Sequence, residues 1–190
     1  DAKISIRHRL DPDYIRVLEF QLNCLWEEYL AVEKRKEKIK NKMLKNFDLI
    51  KLSDPDLPYA VKGFITKFRI AQLLAETGPL SDFDSINQLM RYAGLNIREC
   101  KSGQYKGKNK ISKKGRANLR RVLGYIVLPL VKKNGLLGSR YHSKKEQGMP
   151  GNKAMVAMMR KVLKTIYGWY NSKQSFDIDR IFLDESKYKN

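Results

Sequence analysis

The chain has 190 residues, 42% of them hydrophobic, enough for one globular domain with a real core plus an accompanying element, which excludes a fully disordered chain. Its 39 Lys and Arg outnumber 20 Asp and Glu and leave a formal charge of +19; counterion release draws any polyanion to such a chain before sequence is read, so nucleic acid is the first partner to consider and an acidic membrane surface the second. No run approaches the ~18 apolar residues of a spanning helix, the N-terminus lacks a signal-peptide pattern, and Cys24 and Cys100 stand far apart with no His or Cys at metal spacing. These features argue against membrane insertion, a zinc site or a disulfide scaffold and point to a soluble, cytoplasmic protein.

From Asp13 the apolar positions Ile15, Leu18, Leu22, Leu25, Tyr29, Val32, Ile39 and Met43 recur in steps of three and four, broken only by Lys36. This is a heptad seam, flanked by Glu27, Glu28, Glu33, Lys34 and Lys38, and a narrow seam with charged sides predicts a coiled-coil arm over residues 13–47 that dimerises or pairs with another helix. Packing of that helix on its own domain is the plainer alternative. Ser53, Asp54, Pro55 and Asp56 supply turn chemistry, so a boundary falls at Leu52–Pro58 and the arm with its linker covers 13–57.

Two short helices are expected next, over Phe68–Ala75 and Ser85–Tyr92, with Gly78, Pro79 and Gly94 as terminators. Arg98–Ser112 has no helical period, contains Gly103 and Gly107, and reads as an extended loop or ragged hairpin. A helix beginning near Lys113 with Ser112 as its N-cap carries Leu119, Val122, Leu123, Ile126, Val127 and Leu130 until Pro129 kinks or ends it. A turn around Gly135 and Gly138 and a polar stretch to Gly148 precede a last helix, after Pro150 and Gly151, bearing Val156, Met159, Leu163, Ile166 and Tyr170. The fold class is therefore mainly α: a long N-terminal helix and a compact basic domain, residues 58–171, with an extended Gly-containing loop and a mixed tail at 172–190.

Between Arg98 and Lys164, 19 Lys and Arg face only Glu99 and Glu146, so this third of the chain holds 17 of the 19 net charges. A charge run is usually a solvated face, but nearly unopposed cations around a glycine loop are how a phosphate-contacting surface is built. Lys108, Lys110, Lys113, Lys114, Arg116, Arg120 and Arg121 occupy the loop and the first turns of the predicted helix, whose N-terminal amides also favour anions. Tyr105, Tyr125 and Tyr141 are candidates for stacking on unpaired bases, although aromatics at these spacings are more often core or rim.

Leu73-Leu74-Ala75-Glu76-Thr77-Gly78, Phe83, Gln88-Leu89, Tyr92-Ala93-Gly94-Leu95, Ser102-Gly103, Ile111-Ser112-Lys113-Lys114-Gly115 and Leu119-Arg120 occur in an order that resembles the C-terminal domain of DEDD-type insertion-sequence transposases. That class includes Piv-like DNA invertases and bridge-RNA-guided recombinases. Lys153-Ala154, Ala157 and Arg160-Lys161-Val162-Leu163 are similar to the domain's last helix, and the heptad arm to the long connector that precedes it. Two departures stand out: Val61-Lys62-Gly63-Phe64-Ile65 keeps one glycine of a Pro-Gly-Ile-Gly hairpin, and Arg116 follows Gly115 where the family commonly has Asn.

The resemblance implies a DNA transposase or recombinase fragment in which Ser102 attacks a phosphodiester, with Lys101, Lys106, Lys113 and Arg120 among the cations that hold the phosphoryl charge and Lys153, Arg160 and Lys161 adding to the DNA grip. Residue chemistry alone reads Ser102 as a loop serine beside a turn glycine. The family's other half is an RuvC-like fold whose four acidic residues bind Mg²⁺; the chain is expected to hold no cofactor itself, and Asp1-Ala2 resembles the last edge of that half, making residues 1–12 its remnant. Asp177, Asp179, Asp184 and Glu185 are more simply a solvated acidic tail than a metal site. Implied partners are DNA, a second copy through the arm and, open to this class, a guide RNA. The rival function is a non-catalytic nucleic-acid-binding module whose basic segment does all the work.

Overall fold

In a computed structural model the chain is mainly helical, and the structure describes residues 12–98, 101–102, 105–106 and 110–178, with backbone only between Arg98 and Lys110. The expected remnant at residues 1–11, Lys108 and the acidic residues 179, 184 and 185 lie outside the described residues. The chain divides into two compact units, Asp1–Asn46 and Phe47–Asn190.

The first unit is formed, where described, by helix α1, Pro12–Ser53, whose last turns from Phe47 onward belong to the second unit. Proline is tolerated in a first helical turn, where its missing N–H would have no acceptor, and Asp13 complements the helix dipole there. Along the arm every seam residue from Ile15 to Val32 is exposed, Leu22 at 66% and Leu25 at 63%. Val17, Phe20, Trp26 and Leu30, off the seam, are exposed as well, so the apolar surface of this stretch is wider than a two-position heptad seam. The expectation of charged sides holds below Val32 and not above it.

The second unit starts at Phe47, 3% exposed and stacked on Tyr59 with ring centroids 5.5 Å apart. Next to it, Lys67 Nζ lies 2.7 Å from Asp48 Oδ2, and the Tyr59 hydroxyl donates to Asp48 Oδ1 at 3.2 Å. The hydrogen bond from Lys67 holds the Asp48 carboxyl below its ordinary range, and Asp48 in turn raises Lys67. Helices α2 (Lys67–Thr77) and α3 (Ile86–Tyr92) fall within two residues of their predicted spans, because Thr66 and Ser85 accept hydrogen bonds from the third residue beyond, satisfying an otherwise orphaned amide. Gly78 and Gly94, at φ +75° and +67°, end the two segments as expected.

Two antiparallel strand pairs follow: β1 (Ile97–Arg98) with β4 (Lys110–Ile111), and β2 (Lys101–Ser102) with β3 (Tyr105–Lys106). The pairs are nested, one inside the other in sequence, so the predicted ragged hairpin is present. Helix α4, Ala117–Leu130, begins four residues later than the sequence suggests and ends one residue after Pro129. The delay has a local cause: Ser112 is not a helix cap but bonds to Asn96, and Lys113 sits at φ +52°, which no α-helix contains.

Helix α4 packs on both α2 and α6, Gly151–Ser172. Leu119, Leu123 and Val127 are fully buried, as are Ile70 and Leu73 from α2 and Val162, Leu163 and Ile166 from α6; each such side chain contributes about 1.5–3 kcal/mol relative to exposure. Between α4 and α6 lies α5, Gly138–Glu146, where a polar stretch was expected. Its sequence carries no apolar period, and its position is set by what precedes it: Leu137, fully buried, donates its N–H to the Leu130 carbonyl, and Gly138 to that of Gly135. After α6, Phe176 folds back onto Trp169 and Phe64, at centroid distances of 4.5 and 5.0 Å.

Two glycines make the packing testable in opposite senses. A Cβ on Gly115 would lie 2.4 Å from the Tyr92 carbonyl oxygen and 2.5 Å from the Gly94 nitrogen, whereas one on Gly168, in α6, meets nothing within 4 Å. Chemical denaturation is expected to show Gly115→Ala losing about 1–3 kcal/mol by overpacking against backbone, and Gly168→Ala gaining about 0.5–1 kcal/mol from reduced chain entropy in a helix.

Candidate nucleic-acid interface

The hairpin is anchored where two stretches of backbone cross, Tyr92–Asn96 and Ser112–Arg116. Four bonds tie them: Ser112 N–H to the Asn96 carbonyl at 2.9 Å, Lys113 N–H to the Gly94 carbonyl at 3.1 Å, Arg116 N–H to the Tyr92 carbonyl at 2.9 Å, and the Ser112 hydroxyl to Asn96 Oδ1. The approach is so close that neither Gly94 nor Gly115 has room for a side chain; a Cβ on Gly94 would meet Arg120 Nη1 at 2.7 Å. Arg120 closes the crossing from α4, donating through Nη1 to the Ala93 and Gly115 carbonyls, each at 3.0 Å. Tyr92 and Arg116 extend it to α2, the Tyr92 hydroxyl reaching the Glu76 carbonyl at 3.1 Å and Arg116 Nε the Glu76 Oε2 at 3.1 Å.

Immediately beyond the crossing, Ile97 pairs with Ile111 and Arg98 with Lys110. Further along the chain Ser102 pairs with Tyr105, and the two residues between them lie outside the described residues. Lys101 and Lys106 are opposite one another in the same pair. Lys113 and Lys114 are exposed in the crossing loop, and Arg121 is exposed in the first turns of α4. The N-terminus of α4 has no side-chain cap, which leaves its first amides without that partner. Lys113, Lys114, Arg116, Arg120 and Arg121 thus follow one another along the crossing loop and the first turns of α4.

They are not equivalent. Arg116 is tied to Glu76, an exposed pair in which the arginine side chain is 51% accessible, and Arg120 is committed to backbone carbonyls, while Lys113, Lys114 and Arg121 have no acidic partner among the described residues. Lys153, Arg160 and Lys161 lie on α6, the helix packed against α4. Lys153 is exposed, whereas Arg160 is only partly so and its Nε is buried without a hydrogen-bond partner among the described residues. Of the stacking candidates, Tyr125 is 46% exposed but already carries the Arg69 guanidinium over its ring at 4.8 Å, and Tyr141 packs edge-on against His142.

Glu76, Asn96 and the Gly94–Gly115 contact were not singled out by the sequence as functional. Each lies within or beside the recurring blocks that carried the resemblance, yet nothing in composition or periodicity marks residues that meet across 16 to 40 positions of chain.

The Arg120 bonds lead to a measurable consequence. Arg120→Ala leaves the part-buried Ala93 carbonyl and the exposed Gly115 carbonyl without their charged donor, a loss of about 1–2 kcal/mol, and amide hydrogen exchange at Ser112 and Lys113 is expected to accelerate about tenfold. Unchanged exchange combined with weakened DNA affinity would instead assign Arg120 to phosphate contact alone.

No helix among the described residues is long and apolar enough to cross a membrane. Among curated proteins none matches the chain. Residues 63–142, from the turn before α2 into α5, match the model of the transposase IS116/IS110/IS902 family, which supports an IS110-type transposase domain over this segment.

Proposed function

We propose that residues 58–171 grip DNA and supply Ser102 as the nucleophile for strand cleavage and rejoining. A transposase domain implies DNA as partner, and the concentration of 17 net positive charges between Arg98 and Lys164 supplies the sequence-independent attraction. The observation that supports the serine assignment is its place in the backbone pairing: Ser102 pairs with Tyr105 inside the Ile97–Ile111 and Arg98–Lys110 pairs, next to which the glycine crossing ties the chain.

In this reading the Ser102 Oγ–P bond forms as the bond from phosphorus to one bridging oxygen of the DNA breaks. The serine proton is lost to a base, the leaving oxygen takes a proton, and the phosphoserine ester conserves the bond for rejoining. Serine is a weak nucleophile, so cations near the tip are needed to hold the charge that develops on the phosphoryl oxygens. Lys101 and Lys106, whose backbones pair next to Ser102, suit that role, and Lys113 and Lys114 in the crossing loop suit the DNA grip. Among the described residues no three His, Cys, Asp or Glu side chains gather as a metal site.

The arm is read as an association surface. Its exposed seam, with Trp26 and Tyr29 stacked at 5.4 Å, suits a second copy of the same helix, each burying Leu22 and Leu25 against its partner. A guide RNA is compatible with the same charge, but no residue distinguishes it from DNA.

Two experiments test these assignments. The parent protein with Mg²⁺ on nicked DNA bearing the element end should give a covalent protein–DNA adduct in denaturing gels; Ser102→Ala should abolish the adduct while DNA affinity changes less than about twofold, since a phosphate grip of many cations does not depend on one hydroxyl. Binding without adduct in either protein would leave the non-catalytic module. For the arm, Leu22→Lys combined with Leu25→Lys should halve the mass seen by light scattering, and an unchanged mass would remove the seam as a self-association surface.

A further inference from the structure

The arm carries a second kind of surface below its apolar stretch. Between Lys34 and Lys45 seven Lys and Arg face one acid, Glu37. At about 100° and 1.5 Å per residue, Lys34, Lys38, Lys42 and Lys45 share an arc of about 80° over about 16 Å of helix, with Asn41 and Arg35 each about 20° beyond one of its margins. All four lysines are exposed. Tyr29, Val32, Ile39 and Met43 of the seam lie about 100–180° from the middle of the arc, so the lysine row is on the side of the helix away from whatever covers the seam.

The distribution of acids separates this arc from an ordinary solvated face. The two lysines that fall outside it are neutralised within the helix, Lys36 by Glu33 at 2.7 Å and Lys40 by Glu37 at 3.1 Å. The four inside it have no acidic partner among the described residues. Glu27 shares the arc but precedes Lys34 by about two turns. A helix that pairs its off-face lysines and leaves one row bare presents a linear cation array, and the complementary partner is a linear array of phosphates. One strand of duplex DNA offers a phosphate every ~3.4 Å of axis, so the row matches about five successive phosphates.

We infer that Lys34, Lys38, Lys42 and Lys45 of α1 form a backbone-contact site for duplex DNA, separate from the hairpin and α4 cations. The inference rests on the DNA-binding reading above. A second contact adds neutralised phosphates and makes affinity more steeply salt-dependent, while leaving sequence preference untouched because phosphates carry no base information.

The test is fluorescence anisotropy of the full chain on a labelled duplex at several salt concentrations. Changing the four lysines to Gln, a comparable helix former, should reduce the slope of log K against log salt by about three to four, and changing them to Arg should restore it. Lys36→Gln with Lys40→Gln should leave the slope within about one of wild type. A wild-type slope in the four-Gln protein, while Lys113→Gln, Lys114→Gln and Arg121→Gln together weaken binding, overturns the arm site and keeps the domain grip. Equal losses from the off-arc pair, or a loss confined to an RNA duplex, also overturn it. Absence of DNA binding by the wild-type chain overturns both readings, and far-UV circular dichroism verifies that each variant keeps its helix.

Discussion

The basic domain depends on one steric constraint, the contact of Gly94 with Gly115. Because neither residue has a Cβ, the turn after α3 and the loop before α4 approach to a distance at which their own amides and carbonyls pair, and Arg120 completes the contact by donating to both sides. The consequences run outward from there. The close approach fixes where β1 and β4 begin, therefore where the hairpin points, and it forces Lys113 into a left-handed conformation that postpones the start of α4 to Ala117. Without that contact, Ser112 to Arg116 would lose the backbone bonds to Tyr92, Gly94 and Asn96 that hold them out of the helix.

Charge in this chain is sorted by what each cation touches. Arg116 and Arg120 are structural ties with a carboxylate or carbonyl partner, and Lys67 is a tie of the same kind to Asp48. Lysines 36 and 40 are neutralised along α1. Among the described residues, cations without an acidic partner include those at the crossing loop, in the first turns of α4 and along one row of the arm. The net charge of +19 measures the attraction for a polyanion at a distance; the unpaired subset is what can meet phosphate without first breaking an internal bond.

Helix α4 serves as the common support. One side is buried against α2 and another against α6, and its first turn carries the crossing and its last turn the Leu130–Leu137 contact that places α5.

By itself the sequence determined the helical class, the spans of α1, α2, α3 and α6, the hairpin and the location of the basic segment. Those are local matters: apolar residues repeat at the period of their own helix, caps sit within three residues of what they cap, and charge is a count. The same locality explains why the family-like order of blocks was legible in advance. Only the tertiary structure decided that Ser112 pairs with Asn96 instead of capping a helix, that Arg116 and Arg120 are spent on Glu76 and on carbonyls, that α5 is helical at all, and that the upper arm exposes apolar residues beyond its seam. Each depends on groups brought together from distant positions, or on what a face does not touch, and neither property leaves a period in the chain.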